Sequence, residues 1–302
     1  MQLHVLGSAA GGGVPQWNCG CGNCTAAREH RLPQRTQASL AAAADGKAWV
    51  LFNVTTDIRS QLAADAALAP KSGRDTPRET PIEAIFLTDA NVDHCAGLLD
   101  FRQAGELHVY STKVVRDTLL RNEIFAPFAR APRTWHVVGE APTDVAGLRI
   151  SAIPVSGLLP SYAGGAAVRG AACAYLVEGE KGARALYAPI FADVDEALAG
   201  AAARCDAAFF DGSFWSDDEL IRLGLGTRTA AMMGHQPVGG RSGSLAALRT
   251  CPCPRRFFTH LNNSNPMLDP ASDEADQVTD AGFEVAMDGA VFELVGGVRA
   301  RA

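Results

Sequence analysis

Apolar residues in this chain come in short runs rich in β-branched and aromatic side chains, each closed by a polar or glycine-containing stretch. Runs of that kind predict strands. The spacing places them over Gln2–Leu6, Thr36–Ala43, Ala48–Asn53, Ile85–Thr88, Glu106–Tyr110 and Thr134–Val138. Further strands are expected over Leu148–Val155, Ala172–Glu178, Arg184–Ala188, Ala207–Phe210 and Arg256–Thr259. Asp45-Gly46 is a hairpin signal. A second hairpin is expected across Ala172–Ala188, and a closing one over Phe283–Leu294 around Asp288-Gly289. Polar caps ahead of periodic segments predict helices over Ile58–Leu68 (after Thr56 or Asp57), Ser111–Asn122, Asp193–Ala203 (capped by Asp193), Ser242–Leu248 and Ser272–Ala281. Leu98–Phe101 has the look of a first helical turn. Gly7–Gly13 is a tight turn leaving room for neighbouring backbone. Ala69–Pro81 is a polar loop, and Ser156–Gly170 is a long glycine-rich loop, a candidate lid. Strands arrive in two batches, each followed by helices, without a short repeat or a linker. One α/β domain over 1–302 is expected.

Composition narrows the function classes. A chain with 47% hydrophobic and 20% charged residues is of soluble globular type. Its formal charge of −6 argues against nucleic acid and gives no membrane-surface affinity. The opening MQLHVLGS lacks the basic and apolar regions of a signal peptide, and no run approaches the ~20 apolar residues of a membrane helix. A cytoplasmic location is expected. Its eight cysteines are then thiols, metal ligands or catalytic groups rather than disulfides.

Three of them, Cys19, Cys21 and Cys24, form C-x-C-x-x-C in a loop over 17–24. Small residues between the thiols let the loop wrap one tetrahedral Zn2+ in a structural role. His30, Asn263 or a distant histidine would complete it. The glycines of the 7–13 turn fit neither a dinucleotide fingerprint nor a P-loop. Chemistry concentrates instead in Ile85–Phe101, where a buried strand ends in a loop carrying Asp89, Asn91, Asp93 and His94. Two carboxylates and an imidazole at a strand's carboxyl end make a metal-site constellation, and open α/β sheets bind ligands at that end. Asp89 serves there directly or caps the turn; Asp93 ligates directly or holds a ligand histidine. Asp211 and His260 each follow a later strand. His235 lies in a polar turn suited to proton transfer or substrate contact. Asn262, Asn263 and Asn265 either bind substrate carboxylates or satisfy turn backbone. Arg241, with Arg102 and Arg169, is a candidate partner for acidic substrate groups.

The phrase Thr-Asp-Ala-Asn-Val-Asp-His-Cys-Ala-Gly-Leu, 88–98, resembles the first metal motif of the metallo-β-lactamase family, T-H-x-H-x-D-H-x-G-G. That resemblance implies a four-layer αββα sandwich with ligands at strand ends, His260 and Asp211 among them, and a C-x-C-x-x-C zinc loop as in some members. With GSAAGGGVPQWNCGCGNC, DGSFW, MGHQPVGG and FTHLNNSNPML, the match narrows to that family's members from pyrroloquinoline quinone (PQQ) biosynthesis and spans nearly the whole chain. Two departures matter. Asp89 and Asn91 stand where histidines are usual, and Ser156 and Gly157 stand where another is expected. Two-zinc hydrolysis needs both metals, so that chemistry is expected to be lost. Asp93 or Asp89 with His94 and His260 leaves two imidazoles and a carboxylate, a set suited to Fe2+. The resemblance implies iron- and oxygen-dependent hydroxylation of a tyrosine-derived PQQ precursor, with His235 and Asp89 as catalytic candidates. A non-catalytic carrier of PQQ or its precursor is the alternative, and a one-zinc hydrolase ranks third. Expected partners are that small molecule, other proteins of PQQ synthesis and a second copy of the chain.

Overall fold

The computed structural model describes residues 1–70, 79–139 and 141–296. Residues 71–78 of the loop expected over Ala69–Pro81 lie outside them. Two seven-stranded sheets carry the fold. The first contains β1 (Gln2–Gly7), β2 (Ser39–Ala43), β3 (Trp49–Phe52), β4 (Ile82–Phe86), β5 (Leu107–Ser111) and β6 (Arg133–Val137). The second contains β7 (Thr143–Val145), β8 (Leu148–Val155), β9 (Ala172–Gly179), β10 (Arg184–Ala188), β11 (Ala207–Asp211), β12 (Arg255–Thr259) and β13 (Glu284–Val285). A last strand, β14 (Val291–Glu293), returns to the first sheet beside β1, giving the orders β14-β1-β2-β3-β4-β5-β6 and β13-β12-β11-β10-β9-β8-β7.

The sheets face one another through Phe52, Phe86, Tyr175, Tyr187, Phe209 and Phe257. Helices Ile58–Ala64 and Lys113–Leu120 cover the outer face of the first sheet, packing Ile58, Val115 and Leu119 on Leu51, Ile85 and Val109. Helices Glu196–Ala202 and Asp273–Asp280 cover the second through Leu198, Ala201 and Val278 on Leu186, Phe210 and Phe258. This is the four-layer αββα sandwich. Burial on both faces explains why β3, and β11 up to its closing Asp211, are apolar instead of alternating. Truncating an inter-sheet ring such as Phe86 would cost about 3–5 kcal/mol.

β3 to β6 are parallel, as are β10 to β13, so chemistry-bearing loops gather at their carboxyl ends. Backbone hydrogen bonds Cys173 N to Thr88 O (2.9 Å) and Ala10 N to Leu261 O (2.8 Å) tie loops of the two sheets together there. Close packing of the focal loop depends on Gly97: a Cβ would lie 2.2 Å from Thr55 O. At Gly7 a Cβ would lie 2.1 Å from Gln37 O, the close approach expected of the first turn.

Several expected elements change. Phe283–Leu294 is no hairpin: β13 joins β12 and β14 joins β1, so the chain crosses between sheets. Asp288 at the crossing is half-buried and accepts from Ser8 Oγ (2.7 Å) and Thr36 N (2.6 Å), contacts no turn propensity predicts. The helix cap is Asp195, not Asp193, because Asp195 receives Leu198 N at 2.8 Å. The focal strand begins earlier, at Ile82, and ends at Phe86. His94 stands in a single helical turn, Val92–Cys95, followed by a 3-10 segment Ala96–Gln103. Cys24 likewise lies in a helix, Gly22–Arg28, where a loop was expected. Among the described residues no helix is long and apolar enough to cross a membrane.

Candidate metal centre

Beyond β4 the chain turns on buried polar contacts. Thr88 N donates to Asn53 Oδ1 (2.9 Å), and Asn53 is itself buried with φ of 62°, a support that sequence gave no sign of. Asp89 is fully buried and accepts from Thr88 Oγ1 (2.7 Å), Asn91 N (2.8 Å) and His94 Nδ1 (2.5 Å). The Asn91 contact is an Asx turn, which starts the helical turn carrying Asp93 and His94. Asp89 therefore stands behind His94, facing away from the cavity, and holds its proton on Nδ1.

His94 Nε2 is buried without a protein partner, and it offers a lone pair to a cation once its proton leaves. It lies 3.8 Å from Asp93 Oδ2. From the second sheet His260 follows β12 with φ of 59°, a conformation that costs a non-glycine residue about 1–3 kcal/mol. Its Nδ1 bonds Ser213 Oγ (2.7 Å), and its Nε2 lies 3.2 Å from Asp93 Oδ2. The ligand atoms of Asp93, His94 and His260 all fall within 4.8 Å of one another. Two imidazoles anchored through Nδ1 with Nε2 turned inward, one of those Nε2 atoms buried without a partner, and a carboxylate fit a divalent cation.

His235 and Asp211 form a second layer. Asp211 Oδ2 accepts from His235 Nδ1 at 2.7 Å, while Oδ1 accepts from Ser213 N (2.9 Å) and Ser213 Oγ (2.6 Å). Ser213 thus links Asp211, His235 (3.0 Å) and His260. The ligand atoms of Asp211, His235 and His260 also lie within 4.8 Å of one another, a second group able to hold a cation, and in this structure His235 Nδ1 and His260 Nδ1 are hydrogen-bonded to Asp211 and Ser213. Within DGSFW the linking residue is the serine, whose role is marked in sequence only by the Asp-x-Ser spacing.

Charge follows this layout. Burial disfavours the protonated form of His94, but Asp89 and Asp93 outweigh it and raise its pKa to about 9. Burial pushes Asp93 up, yet His94 and His260 hold it below the usual carboxylate range. Asp89 behaves alike under His94. Burial lowers His260, whereas at His235 the Asp211 charge overcomes burial and raises the pKa.

A cavity of about 230 Å3 opens beside Asp93, His235 and His260. Ile190, Phe214, Met233 and Leu158–Pro160 supply apolar walls, and Asn91, Asn262 and Arg228 supply polar ones. The glycine-rich loop 156–170 forms one side; Tyr162 Oη, donating to Ala90 O at 2.5 Å, pins it to the metal loop. Three expected substrate residues lie elsewhere. Asn265 is fully buried, donating to Gly212 O (2.7 Å) and capping Met267 N (2.9 Å). Asn263 faces the cysteines, and Arg241 is exposed outside the cavity. Each Asn satisfies local polar groups, which is the commoner use of asparagine in turns.

The cysteine trio has its Sγ atoms within 4.8 Å of one another. Asn263 Nδ2 donates to Cys19 Sγ (3.1 Å) and Cys21 Sγ (3.5 Å), placing Asn263, not His30, beside the sulfurs. Burial opposes ionisation of Cys21, but hydrogen bonds from Cys24, Cys19 and Asn263 lower its pKa. Cys24 is pushed up to about 11 by burial and by the neighbouring sulfurs.

A family model described as a β-lactamase superfamily domain matches residues 48–261. Over 97% of this chain, "Coenzyme PQQ synthesis protein B" of Methylobacterium nodulans is 41% identical and is covered completely. A crystal structure described as Zn(2+)-bound PqqB from Methylobacterium extorquens superposes with a TM-score of 0.92 at 37% identity, covering 97% of this chain and 100% of that one. A diphosphatase of the PhnP family shares the fold at a TM-score of 0.69 and 22% identity, covering 98% and 99% of the two chains.

Proposed function

The chain belongs to the coenzyme PQQ synthesis protein B family of the β-lactamase superfamily, and from that premise we propose that it is an Fe(II)- and O2-dependent hydroxylase of a tyrosine-derived PQQ precursor. One observation carries the reading: Asp93, His94 and His260 converge with both imidazoles held through Nδ1 and their Nε2 atoms turned toward Asp93, while positions 89 and 91 lack the histidines of a second metal. Those three side chains would hold the metal, and two imidazoles with one carboxylate suit Fe(II), which when bound supplies oxygen activation. Asp89 and Ser213 are positioning residues that fix the tautomers of His94 and His260. His235, held at Nδ1 by Asp211, presents Nε2 as acceptor for a substrate hydroxyl proton. The loop 156–170 and the apolar walls limit water at the reacting centre. Cys19, Cys21 and Cys24, whose sulfurs gather with Asn263 beside them, would hold a structural Zn2+.

Reconstitution with Fe(II) under anaerobic conditions, followed by oxygen-uptake assays on tyrosine-containing diacid peptides, tests this. Uptake that depends on iron and disappears in His94→Ala supports it; absence of iron-dependent turnover, with His94→Ala equal to the parent, refutes it. The Zn(2+)-bound relative favours a second reading, a one-zinc hydrolase. Hydrolysis of ester or phosphodiester probes by the zinc-loaded chain is its signature. Tight PQQ binding that survives chelation, without turnover, is the signature of a carrier.

A further inference from the structure

The cavity joins two kinds of surface. Its floor carries Asp93 with His235 and His260, and its walls are apolar. Arg228 is its one arginine or lysine. The side chain is exposed, and its guanidinium donates to Met232 O, a contact that occupies one donor and anchors the group at the cavity. A guanidinium offers five donors in a fork matched to carboxylate geometry, so most remain available. Among the described residues no carboxylate is paired with Arg228. Arg241, which sequence favoured for this role, lies outside the cavity.

We propose that Arg228 is the carboxylate anchor of the cavity and sets the orientation of an aromatic acid bound there. The permanent cation at Arg228 attracts a ligand carboxylate, and in the metal-free chain Asp93 repels it from the opposite end of the cavity. The ring then lies among Phe214, Ile190 and Leu158, with its hydroxyl toward His235. This assignment rests on the reading that the cavity takes a tyrosine-derived molecule, but not on oxygen chemistry. It makes Arg228 a determinant of which acids bind and which end reaches the metal side chains.

The test uses 3-(4-hydroxyphenyl)propionate and its neutral primary amide, titrated calorimetrically into the full chain without added iron. The parent should prefer the acid by about tenfold, the worth of a charge-assisted hydrogen bond at a partly exposed site, and raised salt should shrink that preference. Arg228→Gln should abolish the preference by weakening the acid more than the amide, and Arg228→Lys should keep part of it. An acid preference retained in Arg228→Gln, or no acid preference in the parent, overturns the proposal. Acid preference lost in Arg228→Gln beside a complete lack of iron-dependent turnover supports the anchor and removes the hydroxylase reading instead.

Discussion

Asp89→Asn keeps the size of a fully buried side chain and removes its charge. In the parent, burial works against protonated His94, but Asp89 and Asp93 prevail and its pKa stands at about 9. A metal entering the site must therefore displace a proton at any lower pH. The apparent affinity should rise about tenfold per pH unit between about pH 6.5 and 8.5. At pH 7 that competition withholds about 100-fold from the intrinsic affinity. In Asp89→Asn the 2.5 Å contact becomes neutral and His94 titrates closer to its ordinary value, so the pH dependence flattens. Loss of the outer carboxylate also costs about 10–100-fold in intrinsic affinity, or about 1.4–2.7 kcal/mol. The two affinities should thus be comparable near pH 7 and diverge toward pH 9. The linkage extends to folding. His94 has a raised folded pKa, so its contribution to metal-free stability is complete below its unfolded value near 6.5. It is lost as pH climbs through about 9, and the variant should lack this decline. Co(II) calorimetry in two buffers of different ionisation enthalpy measures affinity and proton release together. Parallel affinity curves for parent and variant, or a flat parent curve, would refute the reasoning.

Other outcomes test neighbouring links. His235→Gln should reduce kcat by about 10²–10⁴ at unchanged metal content, since it removes a proton acceptor and no ligand; a loss of bound iron instead would make His235 a ligand. Gly97→Ala forces a methyl to 2.2 Å from Thr55 O, so it should destabilise by about 1–3 kcal/mol, seen in thermal melts. An unchanged melting temperature would mean that the focal loop relaxes freely. Cys21→Ser should cost one equivalent of zinc while sparing the other metal, with limited proteolysis reporting a loosened Gly22–Arg28 helix.

What the chain disclosed in advance was periodic and local. Buried runs such as Ile85–Phe86 and Ala207–Phe210, and the polar residues closing them, marked the strands and the edge where ligands gather. The convergence of Asp93, His94 and His260 was legible because metal chemistry restricts residue type and because the motif is dense. Roles set by three-dimensional partnership were not. Asp89 looks the same in sequence whether it ligates a cation or holds His94 from behind; only burial and the Nδ1 contact separate the two. Asn263 and Asn265 sit two residues apart, yet one faces the cysteines and the other caps Met267. Arg228 has no local signal, since it reaches the cavity through a loop whose path is fixed by Asp217 receiving Ala231 N at 2.9 Å. The false closing hairpin has the same origin: Asp288-Gly289 has turn propensity, but Ser8 and Thr36 draw Asp288 into a crossing between sheets.

The metal content of the chain purified without oxygen, beside that of His94→Ala, tests the central claim most directly. The account predicts one zinc held by the cysteines in both proteins, and one iron in the parent that is absent from the variant. Zinc at both sites of the parent, or iron retained without His94, would contradict it.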